Sequence, residues 1–426
     1  MEKILFIKTP IPMLQDDKLE PDMGLLYCAT YVKRHCDVNV SCVDLSVDSK
    51  KKLFEEAKDS RIFCFSTFTA NYNLTVEIVR ELREKVKKGS IFIAGGHHAS
   101  ALPEQVANDF DYVIQGEGEI AESNLINKLI RGEKPKEKII VGKCVENLNE
   151  IGWIDYSLVN MDNYTRKVNG RKSISILTSR GCPYKCEFCN STLMKAYRTV
   201  RFRTAEDVVD EIKMLNFKYG ITSFRIQDDI FSINRNRLRK MADLLEGYNF
   251  SFRCFARVDN IEEKILEDFK RMGVVHLSFG VESGSQKILD NMNKGICIED
   301  ICKSIFLAKK YQMKCRVYLI VGYPGETIET LDETIKLIKE IQPDDLSIYP
   351  LLPYPGTPLY SNPKKYKITY IDPDFSKYYQ IYGNKECGYV FETESMTLEK
   401  LKFYRDYLVK GLEKVCPWAI EDEENR

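Results

Sequence analysis

The chain has no surplus of either charge: Lys plus Arg and Asp plus Glu each total 63 among 426 residues. That balance gives no global case for a nucleic-acid or membrane-surface partner and leaves only a local patch open. No apolar run approaches the roughly 18 residues of a membrane span. The opening Met1-Glu2-Lys3-Ile4 leads straight into a strand, without the long apolar core of a signal peptide. A cytoplasmic protein is the expectation. The first turn, Thr9 to Pro12, contains no G-x-G-x-x-G, which disfavours a dinucleotide. Histidine is scarce, with four in the chain (His35, His97, His98 and His276).

Cysteine is plentiful, with 14 residues. In a cytoplasmic chain these read as reduced thiols and metal ligands, not as a disulfide framework. Most are scattered singly and read as small buried apolar residues. Cys182, Cys186 and Cys189 are different. They fall in Ser179-Arg180-Gly181-Cys182-Pro183-Tyr184-Lys185-Cys186-Glu187-Phe188-Cys189-Asn190, just after the apolar run Ser173 to Leu177. Thiolates select zinc, Cu(I) or iron–sulfur clusters. Three of them leave a four-coordinate site one ligand short, whereas structural zinc is closed by four. The nearest histidines, His98 and His276, are distant in sequence. An iron–sulfur cluster with one iron open to an outside ligand is the reading; zinc or packing cysteines are the alternatives.

Length and a hydrophobic content of 44% indicate a globular chain of about two domains. Residues 1–145 alternate short β runs (Ile4–Ile7, Val38–Val43, Ile62–Phe65, Ile91–Ala94, Tyr112–Ile114) with helical stripes such as Val79, Leu82 and Val86. This is the pattern of a Rossmann-like α/β domain with a parallel sheet. Ligands of such sheets bind beyond the carboxyl ends of the strands. There the sequence puts Ser66-Thr67-Phe68-Thr69-Ala70-Asn71, Gly95-Gly96-His97-His98 and Gly116-Glu117-Gly118-Glu119. One such segment reads as a turn, but three in succession point to a binding crevice. Residues 146–172 form a linker, with Ile154 to Tyr164 apolar enough for an ordered crossover. Ile139 to Val141 is a possible extension of the first sheet.

Residues 173–360 repeat βα units, with strands at Ser173–Leu177, Ser223–Ile226, Ser251–Phe255, Val274–Phe279, Cys315–Ile320 and Asp345–Tyr349. A Thr204-x-x-Asp207 cap opens one helix, and Pro343 stops another. Six units suggest a partial (β/α)6 barrel, whose site lies in the loops at the carboxyl ends of the strands. Those loops hold the cysteines, Gln227-Asp228-Asp229, Arg257, Gly280-Val281-Glu282-Ser283-Gly284 and Gly322-Tyr323-Pro324-Gly325-Glu326-Thr327. Asp228 and Asp229 read either as ligands of an amino group or ribose, or as helix caps. Arg257 and Arg316 each need an anionic partner if they point inward. Residues 361–426 form a small C-terminal α/β tail, crowded with aromatics from Tyr366 to Phe391 and followed by a helix after Thr397. These aromatics read as a small core or as a lid over the barrel. Glu421-Asp422-Glu423-Glu424 reads as a solvated end.

The C-x-x-x-C-x-aromatic-C spacing, with Phe188 before the last cysteine, resembles the radical SAM superfamily. The preceding strand-end elements Gly-Gly-x-His and Gly-Glu-Gly-Glu resemble the cobalamin-binding domain of its cobalamin-dependent subfamily. The resemblance implies a 4Fe–4S cluster on Cys182, Cys186 and Cys189 whose fourth iron is chelated by S-adenosylmethionine. It implies S-adenosylmethionine contacts from Phe188, Asp228, Arg257, Glu282, Ser283, Arg316, Leu319 and Gly322. A methionyl carboxylate would partner Arg257 and Arg316, the rival being a structural pair with Asp228 or Glu282. Ser66, Thr67, Gly95 and Gly96 would line the nucleotide tail of cobalamin, and Gly116 and Glu117 the corrin edge. Two departures are visible. The D-x-H-x-x-G motif that supplies a histidine ligand to cobalt is absent, and Gln227-Asp228-Asp229 replaces Gly-Gly-Glu.

The implied activity is a cobalamin-dependent methyltransferase acting on an unactivated carbon through a 5′-deoxyadenosyl radical and methylcobalamin. The alternatives are a radical dehydratase, epimerase or ring-forming enzyme that does not transfer methyl, and a non-catalytic cluster-and-corrin sensor. The partners implied are a small-molecule or peptide substrate and an electron donor such as flavodoxin or ferredoxin. Tyr323, Glu326 and Tyr354 stand equally as acid or base, so no catalytic proton donor is assigned.

Overall fold

A computed structural model describes residues 1–11, 17–192, 195–379 and 387–418. The chain packs as two units: Met1–Thr165 with Pro373–Tyr379, and Arg166–Asp372 with the described residues from 387 onward. Among the described residues no helix is long and apolar enough to cross a membrane.

In the first unit, β1 (Glu2–Lys8), β2 (Val38–Asp44), β3 (Ser60–Ser66), β4 (Ile91–Gly95), β5 (Tyr112–Gly116) and β6 (Ile139–Gly142) form one sheet. Its order is β2-β1-β3-β4-β5-β6, with every pairing parallel. All five expected strands are present, and Ile139–Val141 does extend the sheet. Ile4 to Ile7 are each 0% exposed, because helices cover both faces of a parallel sheet; hence their unbroken apolar run. The order reverses between β1 and β3, which opens a crevice at the carboxyl ends of the strands.

The crossover after the sheet is ordered. Ile154, Tyr156 and Tyr164 are buried. The Tyr164 hydroxyl donates to Asp44 at 3.0 Å, beside Lys8 with its ion pairs to Asp17 and Asp44 at 3.3 and 3.5 Å. A later segment also joins this unit. Phe375 sets its ring 4.8 Å from that of His98, and the Asn73 amide donates to Asp374 at 3.0 Å. The sequence carries no local signal for this return.

The second unit has six parallel strands that pair in chain order: Arg171–Ile176, Ser223–Ile226, Ser251–Ala256, Val274–Glu282, Lys314–Val321 and Asp345–Pro350. Lys167–Val168 adds a short antiparallel edge. The helices between the strands bury the expected stripes, with Val208, Ile212, Ile301, Ile305, Leu331 and Ile338 all at 0% exposure. The Thr204 hydroxyl accepts the Asp207 N–H at 3.3 Å, so the expected cap forms. The result is a curled half-barrel with its loops at the carboxyl end. Beyond it, Ile368–Ile371 pairs antiparallel with Phe391–Thr393, and Leu398–Val415 buries Leu401, Leu408 and Leu412. Phe375, Tyr378 and Phe391 are buried, so these tail aromatics pack cores. Tyr382 and the acidic run from Glu421 to Glu424 lie outside the described residues.

Candidate functional site

The cysteine loop is fastened before its first thiol. Asp228, just past the second barrel strand, is 0% exposed. Its carboxylate accepts the Thr178 N–H and the Ser179 hydroxyl, each at 2.6 Å, and the Thr178 hydroxyl as well. Gly181 follows with φ 102°, and a Cβ there would lie 2.5 Å from the Thr199 carbonyl oxygen. Only glycine fits that approach. The Cys182 N–H donates to the Tyr197 carbonyl at 2.9 Å, and the Glu187 N–H to that of Met292 at 3.0 Å. The Glu187 carboxylate holds Lys365 at 3.0 Å and the Tyr366 hydroxyl. The loop is thus clamped at both ends.

Cys186 is buried, while Cys182 and Cys189 are half-buried. Burial pushes the Cys182 thiol up to about 11, and nearby Asp229, Cys189 and Cys186 add to the rise. Burial also raises Cys186, with Lys294 and Arg257 pulling the other way. Metal binding would remove these protons. Arg257 places Nη1 3.9 Å from the Cys186 sulfur and its guanidinium carbon 3.6 Å from the centre of the Tyr184 ring. It also holds Asp259 with a two-pronged contact at 2.9 and 3.1 Å, and donates to the Lys294 carbonyl at 2.6 Å. Lys294, 6% exposed, pairs with Glu282 at 2.7 Å and lies 5.6 Å from the centre of the Phe188 ring. Glu282 itself has φ 69°, a left-handed conformation rare outside glycine.

These observations test whether a cluster fits. Among the described residues, no three Cys, His, Asp or Glu side chains converge on a point where one ion would sit. The three thiols lie on one loop, close enough for their charges to influence one another. Three soft donors with Arg257 and Lys294 alongside to offset negative charge are the donor chemistry of a thiolate-bound iron–sulfur cluster. Lys294 and Asp259 were not singled out in the sequence. The only signal for Lys294 was its place in an Asn-Lys-Gly turn, where Asn293 and Gly295 both adopt positive φ.

Several expected ligands are engaged elsewhere. Asp228 anchors the loop, whereas Asp229 is open to solvent. Arg257 finds its carboxylate two residues away in Asp259. Arg316 lies near the amino ends of the strands, opposite Asp345 in the register, and pairs with it at 3.3 Å. Neither arginine pairs with Asp228 or Glu282, the structural rival to a methionyl carboxylate: Asp259 lies two residues from Arg257, and strand register sets Asp345 beside Arg316. Ser283, 1% exposed, accepts the Ser285 N–H at 3.1 Å and lies 3.4 Å from the Thr334 hydroxyl. Leu319 is 0% exposed. Phe188 and Glu282 remain beside the cluster loop.

Gly322, at φ 90°, donates its N–H to Glu326, and a Cβ on it would lie 2.0 Å from Leu401. Burial pushes the Glu326 carboxyl from its usual 4.5 to about 8, partly offset by that N–H. A carboxyl raised in this way supports the fold fully below about 4.5, and the support is lost as pH climbs to about 8. Glu326→Gln should flatten the fall in stability across that window. Urea midpoints measured over the pH series will show it.

In the first unit the strand ends are knitted together. Thr67, 0% exposed, donates both its N–H and its hydroxyl to the Gly95 carbonyl, each at 2.8 Å. Gly96 has φ 95°, and a Cβ there would lie 2.8 Å from the Thr67 backbone. The Gly116 N–H donates to Ser100 at 3.0 Å, and Glu117 accepts the Val145 N–H at 2.7 Å. Thr67 and Glu117 therefore tie the strand ends together. Gly95, Gly96 and Gly116 stand at the carboxyl ends of β4 and β5, and Ser66 at that of β3, where glycine lets backbone segments approach closely. His98 turns inward: its Nδ1 is 3.2 Å from the Thr69 hydroxyl, and burial lowers it to about 4.

Comparison with known proteins matches this layout. The B12 binding domain profile matches residues 17–126, and the radical SAM superfamily profile residues 176–338. An uncharacterized methyltransferase of Pyrococcus horikoshii is 29% identical over 361 residues, covering 80% of this chain and 78% of that one. A Methanocaldococcus jannaschii protein, provisionally named a methylthiotransferase, is 30% identical over 321 residues, covering 70% and 69%. The radical S-adenosylmethionine methyltransferase TsrM of Kitasatospora setae, solved with cobalamin and a [4Fe-4S] cluster, superposes with a TM-score of 0.70. That superposition covers 96% of this chain and 82% of that one at 17% identity, and so shows a shared fold. The chain belongs to the radical SAM superfamily, among its cobalamin-dependent enzymes, and its cofactors are a 4Fe–4S cluster, S-adenosylmethionine and cobalamin.

Proposed function

We propose that the enzyme transfers a methyl group to an unactivated carbon of a small molecule or peptide. The observation that carries this reading is one chain holding both a three-thiol loop in a radical SAM domain and glycine-rich strand ends in a B12-binding domain. Names of relatives as methyltransferases support it.

Cys182, Cys186 and Cys189 would hold the cluster. Phe188, Glu282 and Gly322 would line the S-adenosylmethionine site, with Asp229 accessible beside Gly181. Gly95, Gly96, Gly116 and Ser66 would receive cobalamin, while Thr67 and Glu117 hold the strand ends in place. When bound, these groups supply a radical that removes a substrate hydrogen and a methyl group that replaces it. The chain's own contribution is placement. Asp228 fixes where the thiol loop starts, and the Lys294 ammonium orients the Glu282 carboxylate. Tyr184 and Phe188 set apolar rings beside the thiols, which limits water there.

Product mass tests the proposal. Anaerobically reconstituted enzyme, given a reductant and its substrate, should add one CH₂. Loss of water or an unchanged mass would point to a dehydratase, epimerase or ring-forming reaction, and failure to take up corrin would remove the methyl source.

A further inference from the structure

We propose that Arg257 sets the reduction potential of the cluster, through a direct N–H contact to the Cys186 sulfur. The inference rests on the assignment of Cys186 as a cluster ligand. Its basis is how completely the guanidinium is used. Asp259 grips Nε and Nη2, the Lys294 carbonyl takes Nη2 at 2.6 Å, and the Tyr184 ring lies 3.6 Å from the guanidinium carbon. Those contacts fix the plane of the fork, leaving Nη1 aimed at the sulfur at 3.9 Å. A residue so pinned, 6% exposed, is poorly placed to swing out to a diffusing carboxylate.

The physical consequence has a definite sign. A one-electron donor such as dithionite or reduced flavodoxin adds one negative charge to the core, and no proton need move. Hydrogen bonds and positive charge at a ligating sulfur stabilise that extra charge, so they raise the potential. Arg257 is a positioning residue in this sense. It touches a cluster ligand and makes reduction easier, without contacting substrate.

The test is an anaerobic redox titration of the full-length reconstituted protein, following the reduced cluster by electron paramagnetic resonance, with iron counted per chain. Arg257→Gln should lower the reduced-to-oxidised ratio at a fixed donor potential about tenfold, or about 59 mV for a one-electron couple. Asp259→Asn keeps the guanidinium but removes the anion that offsets it, and should shift the midpoint upward. Arg257→Lys should recover part of the loss. Should Arg257→Gln fail to load iron, the Asp259→Asn and Arg257→Lys proteins decide. Midpoints equal to wild type in the loaded variants would overturn the proposal. A wild-type protein that forms no 4Fe–4S cluster would instead overturn the cluster assignment beneath it.

Discussion

Cys186→Ala protein is expected to lose its iron–sulfur cluster and all formation of 5′-deoxyadenosine. Removing a buried ligand should exceed the tenfold to about hundredfold loss of metal affinity typical when only a neighbouring hydrogen bond is removed. The position has further consequences. Cys186 is the buried member of the trio, and Arg257 and Lys294 both bear on it. Without the thiolate, two cations stay crowded with less negative charge to offset them, so residual loading through Cys182 and Cys189 should be weak. Iron and sulfide per chain, with the visible absorption of the reconstituted protein, measure the effect. Cys254→Ala is the matched control: a thiol 1% exposed inside the third barrel strand, held neutral by burial. It should keep its iron. Equal iron in both variants would remove the cysteine loop from the cluster assignment.

Asp228→Ala should destabilise the barrel by about 3–5 kcal/mol, the range for breaking one side of a buried charged network. Three donors lose their acceptor at once: the Thr178 N–H, the Thr178 hydroxyl and the Ser179 hydroxyl. Buried Arg237, whose Nη2 donates to the Thr178 carbonyl at 2.9 Å, also loses a neighbouring negative charge. For a unit of this size the loss corresponds to a fall of about 6–20 °C in melting temperature. Cluster loading should fall with it, because the same segment carries Gly181 and Cys182. Asp228→Asn keeps one acceptor oxygen and should fall between. Thermal melts of the iron-free protein separate the two roles of this residue. A normal melting temperature with weakened S-adenosylmethionine binding would return Asp228 to the ligand role first expected of it.

Residues such as Ile4–Ile7 and Val208–Leu215 could be placed from the sequence because burial repeats with a local period. A parallel strand covered on both faces reads as a continuous apolar run, and a half-buried helix shows its stripe every three or four residues. The spacing of Cys182, Cys186 and Cys189 is equally local, since one loop carries all three donors. These features, with the glycines at the strand ends, were enough to indicate a parallel-sheet domain, a partial barrel and an open thiolate site. Partner choice was not legible. Nothing local says that Arg257 meets Cys186, that Arg316 meets Asp345 near the amino ends of the strands, or that buried Lys294 reaches Glu282. The same holds for Thr67 closing on Gly95 and for Phe375 returning to His98. A side chain's alternation along a strand fixes its face. Its height in the barrel and its neighbour across the gap depend on the register between strands far apart in sequence, and that is settled only when the sheet closes.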